Sequence, residues 1–314
     1  MTDLSTAVLN VLWEDGEFAL SRAVRGEQLP PLLTMAPTSL RPAPDTAARL
    51  EHAYAPRDEL DSAWAARPLA LVRYDGRPTL LIEDPGGEVL AGLIGRPWEV
   101  AAFLRAAIGL AAALGRLHAR GLVHKAIRPA NVLVNVATGQ VWLTGFGIAS
   151  RLPREPQPPE PAGVIAGTLA YLAPEQTGRM NRSVDRRSDL YALGVTLYEM
   201  VTGALPFTAS DPLELVHCHI ARQPLPPADK RKDLSPAVSA IIMKLLAKTA
   251  EERYQTAAGV QDDLQRCLAD WECHRIIGDF PLGQNDTPDR LLLPEKLYGE
   301  RPTSRPYTPP STAS

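Results

Sequence analysis

The sequence predicts an α+β fold, in which a strand-rich first part is followed by a larger helical part. Short strands separated by turn residues are predicted within residues 8–35, at 69–74 and at 79–83. Apolar residues at helical spacing predict a long helix over residues 98–118 that ends at Gly121. The other predicted helices cover residues 46–60, with a break at Pro56, then 189–202, 212–222, 236–248 and 256–276.

A Pro-Gly-Gly turn at residues 85–87 lies between the two parts and predicts a hinge. We therefore predict a small, strand-rich lobe over residues 1–84 and a large, helical lobe over residues 85–276. Residues 277–314 are predicted to be a linker and a disordered tail, because periodicity is lost there and the last fifteen residues are rich in Pro, Ser and Thr.

The overall composition is that of a soluble protein with little net charge. The formal net charge is −3 and the hydrophobic fraction is 45%, so neither nucleic acid nor an anionic membrane surface is an expected partner. The three cysteines are odd in number and too few for a disulfide framework, which favours a reducing compartment. Cys218 lies between two histidines and Cys273 precedes another, but neither cluster has the spacing of a zinc site, so we predict no metal there.

The sequence also predicts a cytoplasmic location. Its first residues, MTDLSTAVLNVLWEDG, lack the basic region and the small-residue cleavage site of a signal peptide. The longest apolar stretch, residues 100–115, is interrupted by Arg105, so we predict that no segment spans a membrane.

Residues 122–147, LVHKAIRPANVLVNVATGQVWLTGFG, carry the most informative pattern. They have the layout of a catalytic loop H-R-D-L-x-x-x-N followed by a D-F-G turn. In that template the first aspartate accepts the proton of the attacking hydroxyl, and the second holds the Mg²⁺ that neutralises the phosphates. Ala126 and Gly145 stand at the two aspartate positions, whereas His124 and Asn131 match the template. The pattern therefore favours the fold that carries phosphoryl transfer and argues against the reaction.

Three further stretches extend this pattern: RDELDSAWAARPLALVRYDGR, GTLAYLAPEQTGRMNRSVDRRSDLYALGVTLYEMVTGALPF and FPLGQNDTPDRLLLPEKLYGE. On these motifs, roughly residues 1–270 resemble a serine/threonine protein kinase domain. The closer resemblance is to the amino-terminal kinase domain of large bacterial signalling proteins, in which an ATPase module and a sensor histidine kinase follow. It implies a two-lobed protein-kinase-like fold, with a small antiparallel β-rich lobe and a large helical lobe.

The resemblance implies structural roles for four residues. Glu175, in Ala-Pro-Glu, would pair with Arg253 in a buried, bidentate contact. Asp189, predicted to open a helix, would hold the backbone of the catalytic loop, and His124 would pack within that loop. None of these roles involves chemistry.

The resemblance also locates six catalytic positions, and five of them have lost the expected residue. These are the strand lysine that contacts phosphate, the helix glutamate that orients it, the base, the lysine two residues after the base, and the D-F-G aspartate. In the same order they hold Thr34, Ala53, Ala126, Arg128 and Gly145. Asn131, a metal ligand in the family, is retained as a vestigial one. The first strands also lack a G-x-G-x-x-G phosphate loop.

We therefore expect a pseudokinase, which is a kinase-fold scaffold or allosteric binding module in signalling with no or very weak phosphoryl transfer. No cofactor is required. The resemblance leaves open ATP or another nucleotide, bound without Mg²⁺ in a cleft that includes Asn131, Arg128 and Glu83.

The alternative is a serine/threonine protein kinase that transfers phosphate from ATP with an unconventional active site. Glu88 or Asp84 near the hinge and Lys125 in the loop are the candidates for a relocated base or cation. The resemblance further implies a protein partner, such as a separately encoded ATPase or sensor histidine kinase, because LLLPEKLYGE is similar to the start of the ATPase module.

Overall fold

The computed structural model describes residues 4, 7–26, 29–151, 169–180 and 182–287, so the tail predicted beyond residue 287 lies outside the described residues. It has the predicted α+β architecture. The first part forms a five-stranded antiparallel sheet in the order β1-β2-β3-β5-β4. The strands are β1 (Val8–Glu14), β2 (Phe18–Val24), β3 (Leu32–Pro37), β4 (Pro68–Tyr74) and β5 (Arg77–Glu83).

Helix α1 (Pro44–Tyr54) packs against β4 and β5. Its first turn contains Pro44, whose fixed φ suits the start of a helix. Leu50 and Ala53 lie three positions apart on its buried face, as one face of an α-helix requires. The predicted break at Pro56 is confirmed, because a short 3₁₀ turn over Ala55–Asp58 follows directly.

The second part is mostly helical and begins after the Pro-Gly-Gly turn. Two small antiparallel sheets lie at its junction with the first part, in the orders β6-β8-β9 and β10-β7. These strands are β6 (Glu88–Val89), β7 (Leu122–Val123), β8 (Val132–Asn135), β9 (Gln140–Leu143) and β10 (Ser150–Arg151). The helices are α2 (Val100–Ala119), α3 (Arg186–Thr202), α4 (Pro212–Ala221), α5 (Pro227–Lys230), α6 (Pro236–Leu245) and α7 (Ala257–His274).

Helix α2 is the long apolar helix that the sequence predicts. Within the described ranges it is the one helix that is long and apolar enough to cross a membrane. By length and composition, Arg105 therefore does not exclude a membrane-spanning segment, contrary to the expectation from the sequence. However, α2 is mostly buried and packs against α7 and β9. The central helix of a globular core has the same composition, so α2 is only weak support for a membrane span.

Helix α3 starts three residues earlier than predicted. Asp185 caps it, since its side chain accepts a hydrogen bond from Arg187 N at 2.7 Å. Asp189 therefore lies in the first turn instead of opening the helix, which corrects the prediction. The helix is buried along nearly all its length and ends at Gly203 in the left-handed conformation, as predicted.

Residues 277–287, predicted as part of a linker, fold back onto the large lobe at the start of α7. The carboxylate of Asp286 accepts hydrogen bonds from Gln255 N at 2.6 Å and from Thr256 N and Oγ1 at 2.9 and 2.8 Å. A Cβ at Gly259 would lie only 2.6 Å from the Asp286 side chain, so this approach needs glycine. The segment therefore satisfies donors at a helix terminus that would otherwise need water.

We predict that Asp286→Ala lowers the free energy of unfolding by about 1–2 kcal/mol, because amide donors at the start of α7 lose their acceptor. Asp279→Ala, at an exposed position of the same segment, is the matched control. Urea denaturation of both variants measures the difference. Equal stability of the two variants would contradict the docking of this segment.

A buried histidine lies between α3 and α4. His219 has no exposed surface, and the Tyr191 hydroxyl lies 2.9 Å from its Nδ1. The ring of Phe207 packs edge-on against it at 5.3 Å. Burial, and then the charge of Lys248, lowers the pKa of His219 to about 4. The folded protein therefore holds this imidazole neutral.

This histidine predicts a loss of stability in acid. Between pH 6.5 and about 4, the unfolded chain binds a proton on His219 that the folded chain does not. Stability from this group is therefore present above pH 6.5 and declines, by on the order of 3 kcal/mol in total, as the pH falls through that window. The free energy of unfolding is measured against pH for the natural chain and for His219→Gln, whose residue 219 cannot titrate. The difference between the two profiles isolates the contribution of His219. Parallel profiles for the two proteins would contradict it.

Candidate active site

The catalytic-loop stretch is held by one carboxylate. Asp189 accepts hydrogen bonds from His124 N at 2.8 Å and from Lys125 N at 2.7 Å, and His118 Nε2 lies 2.9 Å from it. The Asp189 side chain has no exposed surface. Lys125 has a φ of 65°, a left-handed conformation that is rare for a residue with a side chain. The two backbone hydrogen bonds oppose this strain and fix the path of the loop.

His124 connects the loop to the Gly-Phe-Gly turn. Its Nε2 donates to Thr144 O at 2.9 Å, its Nδ1 accepts from Ala126 N at 3.3 Å, and its ring lies 4.9 Å from that of Phe146. Burial lowers the pKa of His124 and outweighs the opposing charge of Asp189. A neutral ring with one donor and one acceptor matches these contacts. The structure thus places His124 in a packing position.

Three residues of the template are brought together where the metal and the base would lie. The side-chain amide of Asn131 donates to Ala126 O at 2.7 Å. A Cβ at Gly145 would lie 2.5 Å from Cγ and Oδ1 of Asn131, and Gly145 has a φ of 77°. Asn131 therefore fills the space beside residue 145 and is engaged with the loop itself. Among the described residues, no group of three or more His, Cys, Asp or Glu could hold a metal ion.

Arg128 contacts the turn between β1 and β2. Its Nη2 donates to Asp15 Oδ2 at 3.2 Å, and its guanidinium lies over the Trp13 ring at 5.0 Å. Asp15 Oδ1 also accepts from Glu17 N and Phe18 N, both at 2.8 Å, which fixes the turn. The tip of this hairpin therefore rests on the catalytic loop. The sequence does not predict this contact of Asp15. Asp15 lies with Glu14 and Glu17 in the region where the resemblance implies a glycine-rich loop.

The positions of the phosphate-binding lysine and its glutamate are uncharged. Thr34 in β3 is buried, and its hydroxyl donates to Ser21 O at 3.4 Å. Ala53 in α1 is buried in the hydrophobic core. Helix α1 instead presents Arg49, which binds Glu17 at 2.6 Å. The cation of α1 is thus paired with the hairpin.

The acidic residues near the hinge are already engaged. Glu83 accepts from Ser62 Oγ at 2.6 Å and lies 3.6 Å from Arg67, so its carboxylate is directed to those residues. The side chain of Asp84 is buried and binds Arg22 of β2 through two contacts, at 2.5 and 3.1 Å. Glu88 is exposed at the start of β6.

A buried ion pair anchors the segment that follows the loop. Arg253 donates to both carboxylate oxygens of Glu175, at 2.7 and 2.9 Å. Ser188 also donates to Glu175, at 2.7 Å. Burial alone would raise the pKa of Glu175, but Arg253 outweighs it and the pKa is lowered. The remaining donors of Arg253 are satisfied by the backbone oxygens of Arg187, Ala247 and Lys248.

The fold and the site together define a protein kinase domain that lacks the carboxylate of the catalytic loop, at Ala126, and that of the following turn, at Gly145. The chain belongs to the protein kinase family: the family described as "Protein kinase domain" matches residues 89–264.

Curated relatives are serine/threonine kinases by name. The chain is 40% identical over 154 residues to the serine/threonine-protein kinase PknB of Mycobacterium tuberculosis. The aligned residues are 49% of this chain and 24% of that protein. The chain is 37% identical over 197 residues to the serine/threonine-protein kinase Pkn1 of Myxococcus xanthus, covering 62% and 28%. A probable serine/threonine-protein kinase of Corynebacterium efficiens is 34% identical over 204 residues, covering 64% and 30%. The match thus spans 24–30% of the length of each relative.

We predict that Glu175→Gln lowers the free energy of unfolding by about 3–5 kcal/mol, because the buried Arg253 charge loses its partner. Glu251→Gln is the matched control, since Glu251 binds Arg182 at a partly exposed position and should cost less than about 1 kcal/mol. Chemical denaturation of both variants checks the contrast. Similar costs for the two variants would mean that the buried pair does not anchor the fold.

Proposed function

We propose that this chain is a pseudokinase, a kinase-fold module that acts in signalling through binding and transfers no phosphate. The observation that carries the proposal is the arrangement of Asn131, Gly145 and Ala126. The site holds no carboxylate at the base or at the D-F-G position, and the retained amide is bonded to the loop. Mg²⁺ favours carboxylate oxygens and octahedral geometry, so a lone amide is a poor substitute for the set.

The size of the expected loss supports this reading. A general base contributes roughly 10²–10⁴-fold to a rate, and a positioned electrostatic stabiliser about 10²–10³-fold. These effects are not additive, but part of them suffices to remove a kinase turnover of about 1–100 s⁻¹. The uncharged Thr34 and Ala53 remove a further phosphate contact and its orienting partner.

The module needs no cofactor in this proposal. Arg128 is cationic, and the two aspartates that would hold Mg²⁺ or a proton are absent. A nucleotide that enters the cleft should therefore bind without Mg²⁺. Its partner in signalling would be a protein, for which an ATPase or a sensor histidine kinase is our proposal, in the cytoplasm.

An active serine/threonine kinase is the second candidate, and the names of the relatives favour it. It requires a relocated base. Asp84 is bound to Arg22, which leaves it poorly suited to that role. Asp15 is a carboxylate that the structure does bring to the catalytic loop, through Arg128. An active enzyme would therefore depend on Asp15, Glu88 or Lys125.

We predict that the purified chain transfers no radiolabel from ATP to itself or to casein, with Mg²⁺ or Mn²⁺, because the base and metal positions hold Ala126 and Gly145. The variants Asp15→Asn, Glu88→Gln and Lys125→Met are assayed in parallel. Label that appears equally in all four proteins and in a mock purification without the chain indicates a contaminating kinase. Label in the natural chain that one of these substitutions abolishes would contradict the proposal and establish the second candidate.

A further inference from the structure

The turn between β1 and β2 presents two carboxylates to two arginines of the cleft. Asp15 lies 3.2 Å from Arg128 on the catalytic loop. Glu17 lies 2.6 Å from Arg49 on α1. The tip of the hairpin is therefore bonded both to the large lobe and to the helix of its own lobe.

Each of the two arginines has the features of an anion site. Their side chains are mostly buried, with 12% of Arg128 and 25% of Arg49 exposed. Each guanidinium lies near an aromatic ring, at 5.0 Å from Trp13 and 5.5 Å from Phe18. The Nε atom of each is buried without a hydrogen-bond partner among the described residues. A guanidinium recognises carboxylate and phosphate by the same planar fork, so either anion can occupy such a site.

The hairpin tip is arranged in advance to place one carboxylate against each arginine. Besides its bonds to Asp15, the tip is tied to Thr38, whose N and Oγ1 donate to Glu17 O at 3.0 Å and Gly16 O at 3.2 Å. Because the turn is already rigid, little conformational entropy is lost when Asp15 meets Arg128. A group on the same chain also has a high effective concentration, so it competes well with a free anion.

The same hairpin is fixed at its other end. Arg22 of β2 donates hydrogen bonds to two residues near the hinge, the carboxylate of Asp84 and the backbone oxygen of Gly87, the latter at 2.9 Å. Asp84 is almost fully buried, with 1% of its side chain exposed. The hairpin is therefore bonded through Arg22 to residues 84–87 and through Asp15 to the catalytic loop, by contacts within the chain.

We propose that Asp15 and Glu17 form a built-in anionic ligand, which occupies the cleft arginines and keeps the hairpin closed on the catalytic loop without a bound polyphosphate. The proposal rests on the proposed function, because a cleft that closes without nucleotide gives a binding module one fixed surface. A free polyphosphate must displace the Asp15 carboxylate before it reaches Arg128. The apparent affinity for the free anion is then reduced by the fraction of molecules in which the site is open.

Calorimetric titration with inorganic tripolyphosphate in EDTA tests this, using the natural chain, Asp15→Asn and Glu14→Gln. Asn at position 15 keeps an oxygen for the amides of Glu17 and Phe18 but removes the charge that holds Arg128. Glu14→Gln changes the net charge equally on the same hairpin. We expect Asp15→Asn to bind about tenfold more tightly than the natural chain, and Glu14→Gln to bind like the natural chain.

The double variant Asp15→Asn, Arg128→Met should lose this gain, because the arginine that receives the phosphate is gone. Equal affinities of the natural chain and Asp15→Asn would overturn the proposal. A gain of the same size in Glu14→Gln, or one that survives Arg128→Met, would also overturn it, since the effect would then be one of overall charge. No phosphate is transferred in this titration, so its outcome is separate from that of the radiolabel assay.

Discussion

The carboxylate of Asp189 is the constraint on which the rest of the site depends. It accepts two backbone hydrogen bonds from the catalytic loop and contacts His118, all without exposure to water. These bonds compensate for the left-handed backbone at Lys125. Because they engage backbone amides, they do not depend on which side chains the next positions carry. The loop can therefore keep its path with Ala126 at the place of the base.

The framework and the chemistry of this fold are thus carried by different residues. Asp189, His124 and the pair of Glu175 with Arg253 form contacts that are buried and fully hydrogen-bonded. Loss of any of them would leave an unsatisfied group in the core, which is costly. Replacement of a phosphate or metal ligand by Thr34 or Gly145 has no such penalty. A chain under no demand for phosphoryl transfer can accept the second kind of change while it keeps the first.

The charges of the cleft are balanced within the chain. Arg128 and Arg49 bind the carboxylates of Asp15 and Glu17, and Arg22 binds Asp84. Partly buried arginines without such partners would lose solvation without compensation. The acidic turn thus stabilises a cleft from which the usual aspartates are missing.

The sequence predicts the strands of the five-stranded sheet and most helices, because their apolar periodicity reports directly on burial, but it does not predict the short strands β6 to β10. It places the start of α3 wrongly, since Asp185 and Asp189 are both able to begin a helix and only the cap geometry distinguishes them. It also misses the docking of residues 277–287, which depends on a side-chain cap and not on periodicity.

Within the site, spacing along the chain locates Asn131 and Gly145 together, since they belong to one local motif. It cannot reveal that Asp15 meets Arg128, because 113 positions separate them and no local pattern links the two. Glu83 is the opposite case, in which a position close to the hinge along the chain does not predict the contacts of the side chain. It is near the hinge in sequence, but its carboxylate is bound by Ser62 and Arg67.

The most direct test of the central claim, a kinase fold that closes its cleft without nucleotide and Mg²⁺, is a thermal unfolding titration of the natural chain with ATP. Each concentration is measured once with Mg²⁺ and once with EDTA. A ligand at 100 times its Kd adds about 2.7 kcal/mol of stability, which is easily seen as a rise in Tm. The account predicts no rise that depends on Mg²⁺. A clear Mg²⁺-dependent rise would contradict it and would show that the site retains a working metal–nucleotide centre.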